Sequence, residues 1–190
     1  MNFAEYNVQD ANLEEVLLAL KSLDTVEAVA LGGSRSTGAS EENSDYDIYV
    51  YCSEIPTGKT RENLLGKYCS IAEFGNHYWE SEDNTVMNNG IPVDIIYREV
   101  DRFGRYIDTV IKGGKAFNGY TTAFWHNIKN SKVLFDKTGT FTKFRDMAQI
   151  DFPENLRSAI IKNNRNLLNG KLPSYDRQVK KAQERGDIVS

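Results

Sequence analysis

A chain of 190 residues, 40% hydrophobic and 26% charged, is long enough for one domain with a full core, or for one domain and a small appendage. Its formal net charge of −4 argues against a general nucleic-acid coat and fits a protein that handles small molecules, while leaving room for a local basic groove. Repeats, low-complexity tracts and apolar runs of membrane-spanning length are absent, and the N-terminus MNFAEYNVQD lacks the basic and apolar regions of a secretion signal, so a cytoplasmic protein without a membrane partner is expected. Cys52 and Cys69 sit in apolar patterns outside any ligand spacing and read as reduced core residues, which excludes a disulfide framework or structural zinc site from the expectation.

In chain order, Leu13, Val16, Leu17 and Leu20 fall at helical spacing within Asp10 to Leu23, with Asp10 or Asn12 as the N-cap. Thr25 to Leu31 reads as a short strand ending at Gly32-Gly33. Asp45 to Cys52 is the next strand, with Tyr46, Ile48, Val50 and Cys52 on one face and Asp45, Asp47, Tyr49 and Tyr51 on the other. Ile55 to Phe74 carries Leu64, Leu65, Tyr68, Cys69 and Ile71 and is expected to be a helix packed on the sheet. Asn84 to Asn88 and Ile91 to Arg98 flank Asn89-Gly90, a two-residue hairpin signal. Val100, Phe103, Ile107, Val110 and Ile111 form a helical stripe that stops at Gly113-Gly114. Thr121 to Asn130 reads as a helix, and Lys132 to Phe135 as a strand closed by the turn from Asp136 to Gly139. Pro153 opens a last helical region that Gly170 and Pro173 punctuate. Ser174 to Ser190 starts like a helix with few apolar residues, which points either to a shortened chain or to a surface completed by a second copy, as in a homodimer.

The strand from Asp45 holds the chemistry. Alternate residues share a face, so Asp45 and Asp47 stand about 7 Å apart at the backbone and can converge on one cation. Like charges that close repel unless a cation or a proton neutralises one of them. Magnesium prefers hard oxygen ligands and is usually held by one or two carboxylates together with substrate phosphates. Asp94, flanked by apolar residues in Pro92 to Tyr97, lies on the face opposite Val93, Ile95 and Tyr97. Were its strand to lie beside the Asp45 strand, three carboxylates would meet, enough for two metal ions about 3.5–4 Å apart in a phosphoryl or nucleotidyl transfer site. Upstream, Gly32-Gly33-Ser34 follows a strand and offers backbone N–H groups and a hydroxyl to triphosphate oxygens, and Arg35 can add a charge-assisted contact.

Gly33-Ser34, Asp45-Tyr46-Asp47 and Asp94, in this order, resemble the signature of the DNA polymerase β-type nucleotidyltransferase superfamily. The likeness is strongest to its small bacterial minimal and antibiotic-type members, and to a further branch with the same GGSR, SDYDxYVY and VDIxYR segments. It spans about Val26 to Gly139, where Ser131 to Asp136 resembles the "VLYD" strand of those enzymes. The resemblance implies a small mixed β-sheet core backed by helices, an α+β fold, over residues 1–139, with a mostly helical and apparently incomplete C-terminal part over 140–190. It implies that Asp45 and Asp47 are metal ligands, that Asp94 is the third carboxylate and candidate base, and that Gly33 and Ser34 hold the β- and γ-phosphates of a nucleoside triphosphate. The expected reaction moves a nucleoside monophosphate, AMP from ATP in the first instance, to an acceptor hydroxyl with release of pyrophosphate. An aminoglycoside-like small molecule is favoured as acceptor over RNA or protein.

Two other functions stay open on sequence: a glycosyltransferase whose Asp-x-Asp holds manganese and a nucleotide sugar, and a catalytically silent nucleotide-binding module. Blander readings also compete at single residues. Gly58-Lys59-Thr60 lacks the earlier glycine of a Walker loop, since position 53 is Ser53, and reads as a helix start. His77 and His126 are isolated and read as polar surface residues, with a pocket formed by Asn76, His77 and Trp79 as the alternative. Glu73 and Glu80 read as surface carboxylates, the tyrosines and tryptophans mostly as core, and Arg61, Lys67, Arg98, Arg102 and Arg105 as a solvated face.

Overall fold

Asp10 caps the first helix, α1 (Ala11–Lys21), its Oδ1 accepting from the backbone N–H groups of Asn12 at 3.0 Å and Leu13 at 3.3 Å. The stripe Leu13, Val16, Leu17 and Leu20 is buried. These contacts come from a computed structural model that describes residues 10–37, 44–169 and 174–186. The N-terminal stretch before Asp10, part of the polar loop before Asp45, and the expected breaks at Gly170 and Pro173 lie outside the described residues.

After α1 come β1 (Val26–Leu31), the short helix α2 (Gly33–Thr37), β2 (Tyr46–Cys52), α3 (Gly58–Leu65), β3 (Cys69–Asn76), β4 (Ser81–Met87), β5 (Pro92–Glu99), α4 (Val100–Ile107), α5 (Ala123–Asn130), β6 (Lys132–Asp136), α6 (Thr140–Ala148), α7 (Glu154–Asn169) and α8 (Tyr175–Arg185). The six strands form one mixed sheet in the order β3-β4-β5-β2-β1-β6. Among the described residues only β2 and β5 pair in parallel, and α3 with the β3–β4 hairpin supplies the long crossover that such a pair needs. The fold is α+β, as expected.

The chain divides into two compact units. One comprises the described residues up to Tyr106 together with Trp125–Gln149, and holds the whole sheet. On one face of that sheet, Val29, Ile48, Val50, Val93, Ile95 and Tyr97 join the α1 stripe in a continuous core. On the other, Tyr51 meets the rings of Phe103 and Phe141 edge-on at 5.2 and 5.3 Å between centroids, which supports the expectation that this tyrosine is core. The second unit comprises Ile107–Phe124 and the described residues from Ile150 onward. In it the helical turn widens over Asp108–Lys112, Gly114 takes φ +61 against the Asn155 side chain, and Asn163 Nδ2 donates to the Ala116 carbonyl at 3.0 Å.

Three expectations are corrected. The helix expected over Ile55 to Phe74 ends at Leu65, and after one tighter turn Cys69–Asn76 is the edge strand β3. An edge strand leaves residues such as Ile71 exposed, so its apolar spacing imitates a helix stripe. At the β4–β5 hairpin the turn runs from Met87 to Gly90, Gly90 N–H donating to the Met87 carbonyl at 2.9 Å, and the left-handed residue is Gly90 alone (φ 86), which makes a three-residue connection. Asn89 is instead drawn back to α1, where its Nδ2 donates to both Asp10 oxygens at 3.1 and 3.0 Å.

The third concerns Arg61 and Arg98, expected on a solvated face; both are buried. Arg61 lies 3.3 Å from Asp83, itself fully buried, and over the Tyr97 ring at 4.4 Å. Burial pushes the Asp83 carboxyl up, while the Gly75 N–H, donated at 2.8 Å, and Arg61 oppose that rise. Removing one partner strands a buried charge. Arg61→Met should therefore lower stability by about 3–5 kcal/mol in urea unfolding, and Arg61→Met with Asp83→Leu should recover most of that loss; a double variant no better than the single would contradict this.

Candidate active site

The parallel pairing of β2 with β5 sets Asp47 directly opposite Asp94. Both project on the face that also carries Asp45, and one carboxylate oxygen from each of the three lies within 4.8 Å of the others. Asp45 is exposed, while Asp47 and Asp94 are half-buried. Along β2 this face runs from the exposed Asp45, through Asp47 and Tyr49, to the fully buried Tyr51, so one strand face serves as site at its start and core at its end.

The cluster is electrostatically frustrated. Burial, and then the charges of Asp45 and Asp94, push the Asp47 carboxyl above its ordinary range. Glu82, farther along the same edge, is likewise raised by burial and by the charges of Asp94 and Glu80. A donor set of three hard oxygens with excess negative charge fits a divalent cation such as magnesium.

The glycine pair is fitted against these strands. Gly32 N–H donates to the Asp47 carbonyl at 2.8 Å, which extends the β1–β2 ladder by one bond. A Cβ on Gly33 would stand 1.8 Å from Asp47 Oδ2, and its φ of +62 disfavours any side chain. A Cβ on Gly32 would stand 2.3 Å from the Tyr49 ring. Ser34 is exposed on the first turn of α2, immediately after this close approach. Arg35 turns to the start of β2, where its Nε donates to the carbonyls of Ser44 at 2.8 Å and Asp45 at 3.1 Å and its guanidinium covers the Tyr46 ring at 4.0 Å. It thereby fixes the backbone from which Asp45 projects.

Sequence reasoning passed over the groups beneath and beside the cluster. Arg98 binds Glu80 through two 2.8 Å hydrogen bonds and donates to Tyr51 Oη at 3.2 Å. Its guanidinium lies 4.3 Å from the Tyr49 ring centroid, on which Gly32 rests. Tyr49 Oη accepts from Asn127 Nδ2 at 2.9 Å, and burial pushes this hydroxyl up to about 12, so it stays neutral. Asn84 Nδ2 donates to Asp94 Oδ1 at 3.0 Å. The one available signal was alternation: Glu82 and Asn84 fall on the face opposite the buried Asp83 and Thr85. Of the alternative pocket residues, Asn76 joins Asn84, whereas His77 and Trp79 are exposed.

Residues 13–117 match the family described as the nucleotidyltransferase domain. The chain belongs to that family. Its resemblance to the DNA polymerase β-type superfamily thus holds over more than half its length, and the chain is a nucleotidyltransferase by membership. No curated protein matches it. Among solved structures, a toxin–antitoxin crystal structure with AMP-PNP is 14% identical, with coverage of 90% of this chain and 97% of that one and a TM-score of 0.41. A nucleotidyltransferase-like protein from Exiguobacterium sibiricum is 10% identical, with coverage of 94% and 49% and a TM-score of 0.43. The CD-NTase CdnG of Bradyrhizobium diazoefficiens in complex with GTP is 12% identical, with coverage of 100% and 75% and a TM-score of 0.34. Among the described residues no helix is long and apolar enough to cross a membrane.

The frustration of Asp47 has a measurable sign. Because its folded-state pKa is raised, the ionised carboxylate costs stability at neutral pH, and that cost disappears as the pH falls through the raised value. Metal-free Asp47→Asn should be more stable than the parent at pH 7 by about 0.5 kcal/mol, a half-exposed charge term. Urea unfolding across pH 4–7 should show this advantage shrinking towards acid; an advantage that grows towards acid would contradict the assignment.

Proposed function

We propose that this nucleotidyltransferase moves a nucleoside monophosphate, AMP from ATP, to an acceptor hydroxyl. The observation that carries the reading is the register of β2 against β5, which brings Asp94 to the pair Asp45 and Asp47. In this reading the three aspartates hold two magnesium ions. Magnesium bound there would supply charge neutralisation at the phosphates and polarise the phosphoryl oxygens.

The chain's own residues divide the remaining work. The Gly33 and Ser34 backbone and the Ser34 hydroxyl hold the β- and γ-phosphates, where the absence of a Cβ at Gly33 leaves the approach to Asp47 open. Arg35 holds Asp45 in place and adds positive charge on the phosphate side. Asp94 takes the acceptor's proton as base. The acceptor oxygen then bonds to the α-phosphorus, the bond from that phosphorus to the bridging oxygen breaks, and pyrophosphate leaves with the electron pair. The transfer chemistry lies within 1–139, and the helical 140–190 segment contributes to acceptor binding or to a homodimer contact. A small hydroxylated acceptor of aminoglycoside type fits the net charge of −4 better than RNA. The reaction is proposed to run in the cytoplasm.

A glycosyltransferase Asp-x-Asp makes no demand on Asp94 or on Gly33, so the in-register third carboxylate weighs against it. A silent nucleotide-binding module predicts triphosphate binding without turnover. Pyrophosphate release from each common nucleoside triphosphate, with magnesium and pooled small-molecule, RNA and protein acceptors, separates these readings. The parent should release pyrophosphate with one acceptor class, and Asp45→Ala, Asp47→Ala and Asp94→Ala should each lose at least about 100-fold, equivalent to about 2.7 kcal/mol. Triphosphate binding with no release under any acceptor would overturn transfer in favour of the silent module.

A further inference from the structure

Asp94 is the inner end of a hydrogen-bonded chain that crosses three strands. Asn84 stands opposite Asp94 in the β4–β5 pair, and Glu73 stands opposite Asn84 in the β3–β4 pair. Asn76 Nδ2 lies 3.4 Å from Glu73 Oε2 and 2.7 Å from Asn84 Oδ1, and Asn84 Nδ2 lies 3.0 Å from Asp94 Oδ1. The polarity of this chain is set from both ends. An ionised carboxylate only accepts, so the Asn76 group that faces Glu73 is its NH2; that NH2 requires the Asn84 carbonyl oxygen, and the Asn84 NH2 is then left for Asp94. Turning either amide over would set two donors or two acceptors face to face.

We propose that Asn84 is a positioning residue for the third carboxylate, and that Asn76 acts only through Asn84. The inference rests on the reading of Asp94 as a metal ligand. The Asn84 amide occupies one oxygen of Asp94 and fixes the carboxylate plane, so that the other oxygen is presented to Asp45 and Asp47. Removing the outer hydrogen-bond partners of metal ligands typically costs about 10–100-fold in metal affinity or activity. Asn84 itself is half-buried at the lip of the cluster, and its side chain does not belong to the apolar core.

The test is calorimetric binding of manganese to the full chain without nucleotide, alongside the metal-free melting temperature. The variants are Asn84→Leu, Asn84→Val, Asn76→Leu and the Asn76→Leu/Asn84→Leu double variant; valine keeps a strand-compatible side chain should leucine disturb folding. The expected result is about a tenfold loss of manganese affinity in either Asn84 variant, with the melting temperature of the metal-free protein unchanged. Asn76→Leu should show a smaller loss that vanishes in the double variant, because both residues act along one path. Unchanged affinity in the Asn84 variants, a loss that merely follows a fall in melting temperature, or additive effects of the two asparagines would each overturn the proposal while leaving the metal site intact. Manganese binding by the parent that survives Asp47→Ala, or no binding at all, would overturn the metal reading and this inference with it.

Discussion

The parallel register of β2 and β5 is the constraint on which the candidate site depends. Asp47 meets Asp94 because the two strands pair without offset from Tyr46 against Val93 to Cys52 against Glu99. A slip of one residue would carry Asp94 to the core face and bring Val93 or Ile95 to the site. The buried alternates resist that slip: Ile48, Val50 and Cys52 on one strand, and Val93, Ile95 and Tyr97 on the other, share a core with the α1 stripe. Apolar packing on one side of the sheet thus sets the positions of charges on the other.

That arrangement holds three carboxylates closer than they would choose, and with the Asn84 amide on one Asp94 oxygen the Asp47 carboxyl is still raised. The nearby buried cations are committed elsewhere: Arg98 to Glu80 and Tyr51, Arg61 to Asp83. Their task is architectural. Arg98 supports the Tyr49 ring on which Gly32 rests, and Arg61 and Asp83 tie α3 to the β3–β4 hairpin through Ser81 and Gly75. Three acidic oxygens left with net negative charge are a poor arrangement for stability and a good one for a divalent cation carrying phosphates. The family membership and the geometry therefore point the same way from independent starting points.

Much of this was legible in the residues because local rules and the global fold agree where the core is. The alternation in β2 and the apolar stripe of α1 appear in the structure as read, and of the two cap candidates, Asp10 and Asn12, the structure uses Asp10. Three aspartates could be singled out because acidic residues within apolar strands need a reason. What escaped notice depended on distant partners. Arg98 and Glu80 are separated by 18 positions, and no local pattern marks this arginine as buried rather than solvated. Asn84 looked like the polar beginning of a strand, since its value lies in Asp94 on one side and Asn76 on the other. The edge strand β3 was mistaken for helix because none of its residues is buried, so neither face imposes the alternation by which strands are recognised.

Anomalous scattering from a crystal grown with manganese and a non-hydrolysable ATP analogue tests the central claim most directly. The account predicts manganese bounded by Asp45, Asp47 and Asp94, with the analogue's β- and γ-phosphates against Gly33 and Ser34. Manganese and phosphates bound at another part of the chain, with these three carboxylates facing only water, would contradict it.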